Sequence, residues 1–280
     1  SIDDLMNYIP APDYPTKALI MGTTALRHAY KTGRGGIVLR ARTEIEEYTN
    51  GKSRIIVTEL PYQVNKARLI ETIANHVTEK KIEGIANLND ESDRNGMRIV
   101  IDIKKDYNPQ VILNYLFKHT QLQVSNGMIF LAIVDGAPKI CNLKEILTHY
   151  LNHQKEIIVR RTRYDKQKAE ERAHILQGLV KALANIDKVI ATIKASGDKN
   201  VASANLISKF DLTEVQANAI LEMRLQRLTG LEVQKIKEEL AELEKAIADY
   251  IDILANEYRV LDIIKADLLD IKERYGVPRK

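Results

Sequence analysis

Tryptophan is absent from the 280-residue sequence, and cysteine occurs once, at Cys141. A single cysteine excludes an intramolecular disulfide framework and favours a reducing, cytoplasmic setting. No apolar run is long enough to cross a membrane, and no signal peptide is recognisable. Proline is missing from residues 143–195, where Gly178 is the only glycine, and both residue types are missing from 232–275. Without these helix breakers, each stretch predicts one long helix.

The apolar residues of both stretches recur at alternating intervals of three and four. In the first stretch these positions are Leu176, Leu179, Leu183, Ile186, Ile190 and Ile193. In the second they are Ile236, Leu240, Leu243, Ile247, Tyr250, Leu254, Leu261, Ile264, Leu268, Ile271 and Tyr275, with Glu257 as the one polar member. This period predicts a coiled coil, and the short connection between the stretches favours antiparallel pairing. About 50 helical residues span roughly 75 Å, which suits an arm that holds something at a distance.

Residues 196–231 between the two arms form a small segment that we call the knot. The pairs Thr213 with Gln216 and Thr229 with Glu232 both match a capping box, which predicts helix starts after each threonine. We expect one helix over residues 217–228. The knot has more apolar residues than so small a unit can bury, which indicates an interface.

The first part of the chain predicts an α+β domain. Residues 54–134 show the order βαββαβ, which is typical of a split βαβ fold, and an Asn50–Gly51 pair predicts a hairpin turn before it. Residues 37–47 alternate as one strand, with Arg40, Arg42 and Glu44 on one face. Residues 14–43 contain six Lys or Arg residues and no acid. Such a face fits sequence-independent contacts to a phosphate backbone, although an ordinary solvated face is the commoner outcome.

Other candidate sites are weaker. His149 and His153 stand one helical turn apart, but no HExxH motif or nearby cysteine supports a metal site. Asp90, Glu91 and Asp93 lack the spacing of a calcium loop. The basic residues of the first arm, Arg160, Arg161, Arg163, Lys166 and Lys168, are expected to form a solvated helix face. No local motif indicates an autonomous catalytic centre.

Five motifs in the same order carry a family resemblance that covers essentially the whole chain. They are TGRG at 32–35, LPYQVNKAR at 60–68, DESDRNGMR at 90–98, KAEERAHIL at 168–176 and MRLQRLTGLE at 223–232. The chain resembles the breakage-reunion subunits of bacterial type IIA DNA topoisomerases, with the gyrase branch the better match and the topoisomerase IV branch similar.

The resemblance implies four segments: a tower-like α+β domain over 1–140, a first coiled-coil helix over 141–195, an exit-gate knot over 196–231 and a second coiled-coil helix over 232–280. Double-stranded DNA is the implied partner of the tower, and the candidate contacts are Lys31, Arg34, Arg40, Arg42, Lys66 and Arg68. A homodimer contact is implied for the knot, with Met223, Leu225, Leu228 and Leu231 as candidates.

The resemblance also implies that this part of the protein is not catalytic by itself. None of the 12 tyrosines stands in the family's nucleophile motif, and the quinolone-binding region is expected upstream. We expect no cofactor and no metal in this part. Mg²⁺ and ATP belong to the holoenzyme, with ATP on the gyrase B protein of an A2B2 assembly. Two alternatives are a structural coiled-coil module, disfavoured by the α+β domain, and an independent enzyme using His149 and His153.

Overall fold

A computed structural model describes residues 1–48 and 51–278, apart from the side chain of Leu225. The chain divides into two compact units. The first comprises Ser1–Tyr150 together with the last residues after Gly276, and the second comprises Leu151–Gly276.

The first unit mixes helices and antiparallel strands. Its elements are α1 (Ile2–Leu5), β1 (Leu19–Met21), α2 (Thr24–Thr32), β2 (Arg34–Arg40), β3 (Arg42–Tyr48), β4 (Lys52–Glu59), α3 (Lys66–Thr78), β5 (Ile85–Asp90), β6 (Ile99–Ile103), α4 (Pro109–His119), β7 (Gln123–Ile129), β8 (Leu131–Val134) and β9 (Ala137–Ile140). The α+β fold class predicted from the sequence is therefore confirmed.

The larger sheet has the strand order β3-β4-β6-β5. Strand β6 pairs antiparallel with both β4 and β5, so β4 and β5 run parallel with β6 between them. This is the split βαβ arrangement, with α3 as the crossover. The hairpin of β3 and β4 forms as expected, with Tyr48 opposite Lys52, while Asn50 of the predicted turn lies outside the described residues.

The last strand of the predicted βαββαβ order is not in this sheet. Strand β7 pairs with β2 in a separate three-stranded sheet, β1-β2-β7, and β3 occupies the edge beside β4. The hairpin from β3 to β4 is a local pairing that occupies the side of β4 where β7 would otherwise pair. Sequence pattern alone does not distinguish these two edges, because both strands alternate similarly.

One apolar core holds α3 and α4 against the larger sheet. Its fully buried members include Ile55, Val57, Leu69, Ile73, Ile99, Ile101 and Leu116. Asn65 and Asn108 cap the two helices, accepting hydrogen bonds from the backbone N–H groups of Arg68 and Gln110. A second core packs α2 against the β1-β2-β7 sheet through Leu26, Ala29, Tyr30, Ile37 and Leu39.

The second unit is helical. It is built from α5 (Leu143–Ala184), which begins in the first unit, α6 (Ile186–Lys194), α7 (Lys199–Phe210), α8 (Glu214–Leu221), a 3₁₀ turn (Leu225–Leu228), α9 (Gly230–Ala255) and α10 (Glu257–Tyr275).

Helix α5 packs antiparallel against α9 and α10, as predicted. Lys155 Nζ lies 2.6 Å from Glu257 Oε1, and Arg172 Nε lies 2.7 Å from Glu239 Oε1. Moving 17 residues forward on α5, from 155 to 172, therefore moves the partner 18 residues back, from 257 to 239. Ile158 packs with residues of both partner helices in the apolar layer between these ion pairs.

Both arms are interrupted once, at an asparagine, so the prediction of two continuous helices is wrong. Asn185 separates α5 from α6, and Asn256 separates α9 from α10. In each case the side-chain amide donates to the carbonyl oxygen four residues earlier, Lys181 or Asp252, which takes over an intrahelical hydrogen bond. Asparagine competes with the backbone in this way, so a helix can end without proline or glycine.

The interruption at Asn256 changes which residues of the second arm are buried. Beyond it the apolar layer uses Val260 and the predicted position Ile264, whereas the predicted positions Leu261, Leu268, Ile271 and Tyr275 are exposed. Asn256 has extended backbone angles, φ −127° and ψ 107°, which shift the phase of the helix that follows. The heptad pattern is therefore correct before Asn256 and largely out of phase after it.

One of the two predicted capping boxes forms in the knot. The Thr213 hydroxyl accepts from the Gln216 backbone N–H, and the Gln216 side chain accepts from the Thr213 N–H. At Thr229 the side chain makes no capping bond and donates to the Gln226 carbonyl instead. The predicted helix over 217–228 is also corrected, because α8 ends at Leu221 and a short 3₁₀ turn follows.

Candidate nucleic-acid and subunit interfaces

The six basic residues predicted to contact DNA do not cluster, and four of them fall at opposite ends of strand β2. Lys31 and Arg34 lie at its beginning, while Arg40 closes it and Arg42 follows at the start of β3. Arg40 lies six positions after Arg34 in the strand, so the two residues are about 20 Å apart. These cations therefore line an extended surface and do not converge on one point. Such spacing suits the repeating charge of a nucleic-acid backbone.

The cations differ in how strongly they are already paired. Lys31 lies 3.0 Å from Asp3, and Arg42 Nε lies 3.1 Å from Glu59. Arg34 makes no ion pair with the residues that the structure describes. Both partners of the Lys31–Asp3 pair are exposed, so a phosphate can replace that carboxylate at small cost. Glu59 is only 15% exposed, so Arg42 is held more firmly by its carboxylate.

Helix α3 supplies the other two predicted contacts in its first turn. Lys66 lies 2.7 Å from Asp90 at the end of β5, and this ammonium group, with Ser92, lowers the pKa of Asp90 from 3.8 to about 2. Arg68 is exposed and makes no ion pair within the described part of the chain. The start of a helix also presents free backbone N–H groups, which adds to the positive field at this end of α3.

Arg40 has a structural role, which corrects its predicted position on one strand face with Arg42. Strand β2 ends at Arg40, the buried Ala41 follows, and Arg42 begins a strand of the other sheet. Arg40 Nε donates to Gln123 Oε1 over 2.7 Å, and its guanidinium lies 4.5 Å from the centre of the Phe117 ring. A half-buried arginine held in this way is less available to a phosphate than Arg42.

Lys17 is a basic residue of this surface that sequence reasoning did not select. It borders a cavity of about 670 Å³ together with Glu59 and Lys66. Lys17 and Ala18 both have left-handed backbone angles, with φ of 62° and 70°, and Glu59 Oε2 accepts a hydrogen bond from the Ala18 N–H. Non-glycine residues seldom adopt this conformation, so no sequence signal beyond the acid-free stretch pointed to Lys17.

The weaker metal hypotheses gain no geometric support. Within residues 1–48 and 51–278, no three His, Cys, Asp or Glu side chains come together in a way that could hold a metal ion. In the turn after β5, Asp90 accepts from Ser92 and Asp93 accepts from Asn95, so these carboxylates stabilise the turn itself.

The knot has an apolar interior and a partly apolar surface. Leu206, Leu212, Ala217 and Ile220 are buried against α5 residues such as Leu176 and Leu179. Of the predicted interface residues, Met223 and Leu228 are half-buried and Leu231 is 69% exposed. The side chain of Leu225 lies outside the described part. A polar cavity of about 490 Å³ adjoins Met223 and is bordered by Glu222, Arg224, Arg227 and Glu232 among others.

A close interlock fixes α8 of the knot to α5. Gln216 is only 7% exposed, and its Nε2 donates to the His174 carbonyl oxygen over 2.7 Å. His174 Nε2 also lies 2.7 Å from the Thr213 hydroxyl. Gly178 leaves the space for Gln216, because a Cβ at that position would lie 2.6 Å from Gln216 Cγ. Gly178, the single glycine of the first arm, therefore lies where α8 of the knot packs against α5.

The comparison with known families identifies the class of protein. The family model that describes the A subunits of DNA gyrase and topoisomerase IV matches residues 1–269. The chain therefore belongs to this family of gyrase and topoisomerase IV A subunits, in agreement with the split βαβ unit, the antiparallel helices and the knot described above.

Curated relatives are named as the A subunit of DNA gyrase. The chain is 56% identical over 280 residues to that of Halalkalibacterium halodurans, 54% identical to that of Clostridium acetobutylicum and 52% identical over 281 residues to that of Staphylococcus epidermidis. It is covered completely in all three, but it spans only 32–34% of the length of these relatives. Within the described residues, no helix has both the length and the apolar character needed to cross a membrane.

Proposed function

We propose that this chain is the part of a gyrase A subunit that flanks the cleaved DNA segment and forms the exit gate for the transported duplex. The observation that carries the proposal is the pairing of one helical arm with another around a knot that exposes apolar side chains. The whole-chain similarity to proteins named as DNA gyrase A subunits supports the same assignment. An A subunit of topoisomerase IV is the alternative within this family.

In this proposal the basic surface of the first unit holds DNA without reading its sequence. Arg34, Arg42, Lys66 and Arg68 contact phosphates, with Lys31 near the start of β2 and Lys17 added from the structure. Such contacts position a duplex and make its affinity depend on salt.

The knot is proposed as the contact between the two copies of a homodimer. Met223, Leu225, Leu228 and Leu231 supply its apolar centre, and the charged residues beside Met223 form its rim. A gate must open repeatedly, so a contact of modest area with a polar rim is suited to the task.

The chemistry of the whole enzyme is proposed to lie outside this chain. The holoenzyme is an ATP-hydrolysing type II topoisomerase of A2B2 composition in the cytoplasm, in which the gyrase B protein binds ATP and Mg²⁺ serves the cleavage site. We propose that the nucleophilic tyrosine belongs to another part of the gyrase A protein, so that this chain alone does not cleave DNA and needs no cofactor.

DNA binding tests the first unit directly. In the full-length gyrase A protein, the double variant Arg34→Glu, Arg68→Glu removes two phosphate contacts, so the slope of log K against log salt should become shallower by about 1.8. The variant Lys188→Glu, Lys194→Glu is the control, because it changes the net charge equally at exposed residues of α6. Equal affinities and slopes in both variants would remove Arg34 and Arg68 from the DNA surface.

A further inference from the structure

The outer face of α5 is a second basic surface, remote in sequence from the six residues discussed above. Ile158 packs against α9 and α10, and Thr162 and Ala169, which lie on the same side of α5, are also buried. At 100° per residue, His153, Arg160 and Tyr164 lie on the opposite side of the helix, flanked by Arg161 and Arg163. The five side chains are exposed to solvent.

The ion pairs of α5 separate its basic residues into two groups. Lys166 and Lys168 are neutralised within the helix by Glu170 and Glu171, at 2.8 and 2.9 Å. The three arginines are not held in this way. Arg160 has only a long contact of 3.7 Å with Glu156, and both side chains are 69% exposed. Arg161 and Arg163 make no ion pair within the part of the chain that the structure describes.

Three acidic residues of the neighbouring helices are already engaged by cations of the coiled coil. Arg259 of α10 forms ion pairs with both Asp249 and Asp252 of α9. Glu257 is paired with Lys155, which lowers the pKa of that glutamate. These three carboxylates therefore do not neutralise the arginines on the outer face of α5.

The chemistry of this face matches a nucleic-acid backbone. The guanidinium group binds a phosphate through two parallel hydrogen bonds, and an exposed aromatic ring such as Tyr164, 61% exposed, adds packing against sugar and base edges. The face from His153 to Tyr164 covers roughly 12 residues of helix, or about 17 Å. A duplex of that length carries about 10 phosphate charges.

We propose that this outer face of α5, centred on Arg160, Arg161 and Arg163, binds duplex DNA through its phosphates as a site additional to that of the first unit. The inference rests on the proposed function. Its duplex is the transported one, which passes along the arms before it leaves through the knot. The contact lowers the free energy of the duplex once it has passed the cleavage site and so favours that step.

The test uses the full-length gyrase A protein assembled with its gyrase B partner. The variant Arg160→Glu, Arg163→Glu is compared with Lys237→Glu, Lys245→Glu, which changes the charge equally at exposed residues of α9. Covalent cleavage of a linear duplex reports the site outside this chain, and the rate of supercoiling reports strand passage. We expect cleavage to be unchanged in both variants, while supercoiling slows about fivefold or more in the arginine variant only. The difference should shrink as salt rises, because screening weakens the wild-type contact too.

Two other outcomes distinguish failure of the arm site from failure of the proposed function. Equal supercoiling rates in the two variants, with normal cleavage, would overturn the arm site and leave the proposed function intact. Wild-type enzyme without cleavage or supercoiling would overturn the proposed function and the arm site together. A circular dichroism spectrum checks the fold of the arginine variant. If that variant does not fold, Arg160→Gln, Arg163→Gln removes half as much charge and should show the same selective loss to a smaller extent.

Discussion

The contact between Gly178 and Gln216 makes a specific prediction about stability. In an ordinary exposed helix, replacing glycine by alanine stabilises by about 1 kcal/mol, because the backbone loses less entropy on folding. At Gly178 the new Cβ would lie 2.6–2.9 Å from three carbons of the Gln216 side chain, one of them the Cβ that cannot move independently of α8. The substitution Gly178→Ala should therefore reverse the usual sign.

The change in unfolding free energy is the sum of two losses and one gain. Overpacking a buried contact destabilises by about 1–3 kcal/mol. Displacing Gln216 also weakens its bonds to the His174 carbonyl and the Thr213 N–H, which contribute about 1 kcal/mol each. After subtracting the helix-propensity gain, we expect a net destabilisation of about 2 kcal/mol, within a range of about 1–4.

The assay is urea unfolding followed by circular dichroism at 222 nm, with Gly230→Ala as the matched control. Gly230 begins α9 and has no atom within 4 Å of the position where a Cβ would lie, so its substitution should be neutral or slightly stabilising. If Gly178→Ala is as stable as the wild type or the control, then α8 does not pack on α5 as described, and the interlock is refuted.

Two further predictions concern caps and charges. Thr213→Ala should destabilise the knot by about 0.5–2 kcal/mol, because it removes a side-chain cap. Thr229→Ala should destabilise it less, because Thr229 makes no capping bond. Equal losses of stability in thermal unfolding would refute this difference. Lys66 and Ser92 hold the pKa of Asp90 at about 2 in the folded protein. The Lys66–Asp90 pair therefore stabilises the fold above about pH 4, and this stabilisation is lost as the pH falls through about 2. Lys66→Met should therefore be less stable than the wild type at pH 7, with the gap narrowing towards pH 2 in denaturant titrations; a gap independent of pH would show that the ion pair contributes nothing.

The sequence was sufficient for features that depend on local pattern. The 3.5-residue period predicted the antiparallel coiled coil because stripe residues such as Leu176, Leu179 and Ile236 must be covered by another helix. Thr213 followed by Gln216 predicted a cap that depends only on four consecutive residues.

Two features of the fold could not be predicted from the apolar pattern. The continuity of both arms was misjudged because Asn185 and Asn256 end a helix through their own side chains, and nothing in the apolar spacing reports that choice. The βαββαβ order did not show that β7 pairs with β2 in a separate sheet while β3 borders β4, because the alternation of a strand does not identify its partner.

The basic surface shows the same limit. Counting cations selected Arg40, but only the fold shows that Gln123 and Phe117 already hold it. The same count of cations did not select Lys17, whose position depends on a left-handed backbone that Glu59 stabilises. Charge can be read from sequence, whereas the availability of a charge is set by tertiary contacts.

Sedimentation equilibrium at micromolar concentration shows whether two copies of the chain meet at the knot. We predict a dimer for the wild type and a folded monomer for Met223→Glu, Leu228→Glu, because association would have to bury unpaired carboxylates. Burying an unpaired charge opposes association by several kcal/mol, and every ~1.4 kcal/mol raises Kd tenfold. The control Val111→Glu, Ile251→Glu alters two exposed apolar residues elsewhere and should remain dimeric. A dimer in the Met223, Leu228 variant, or a monomer in the wild type, would contradict the account.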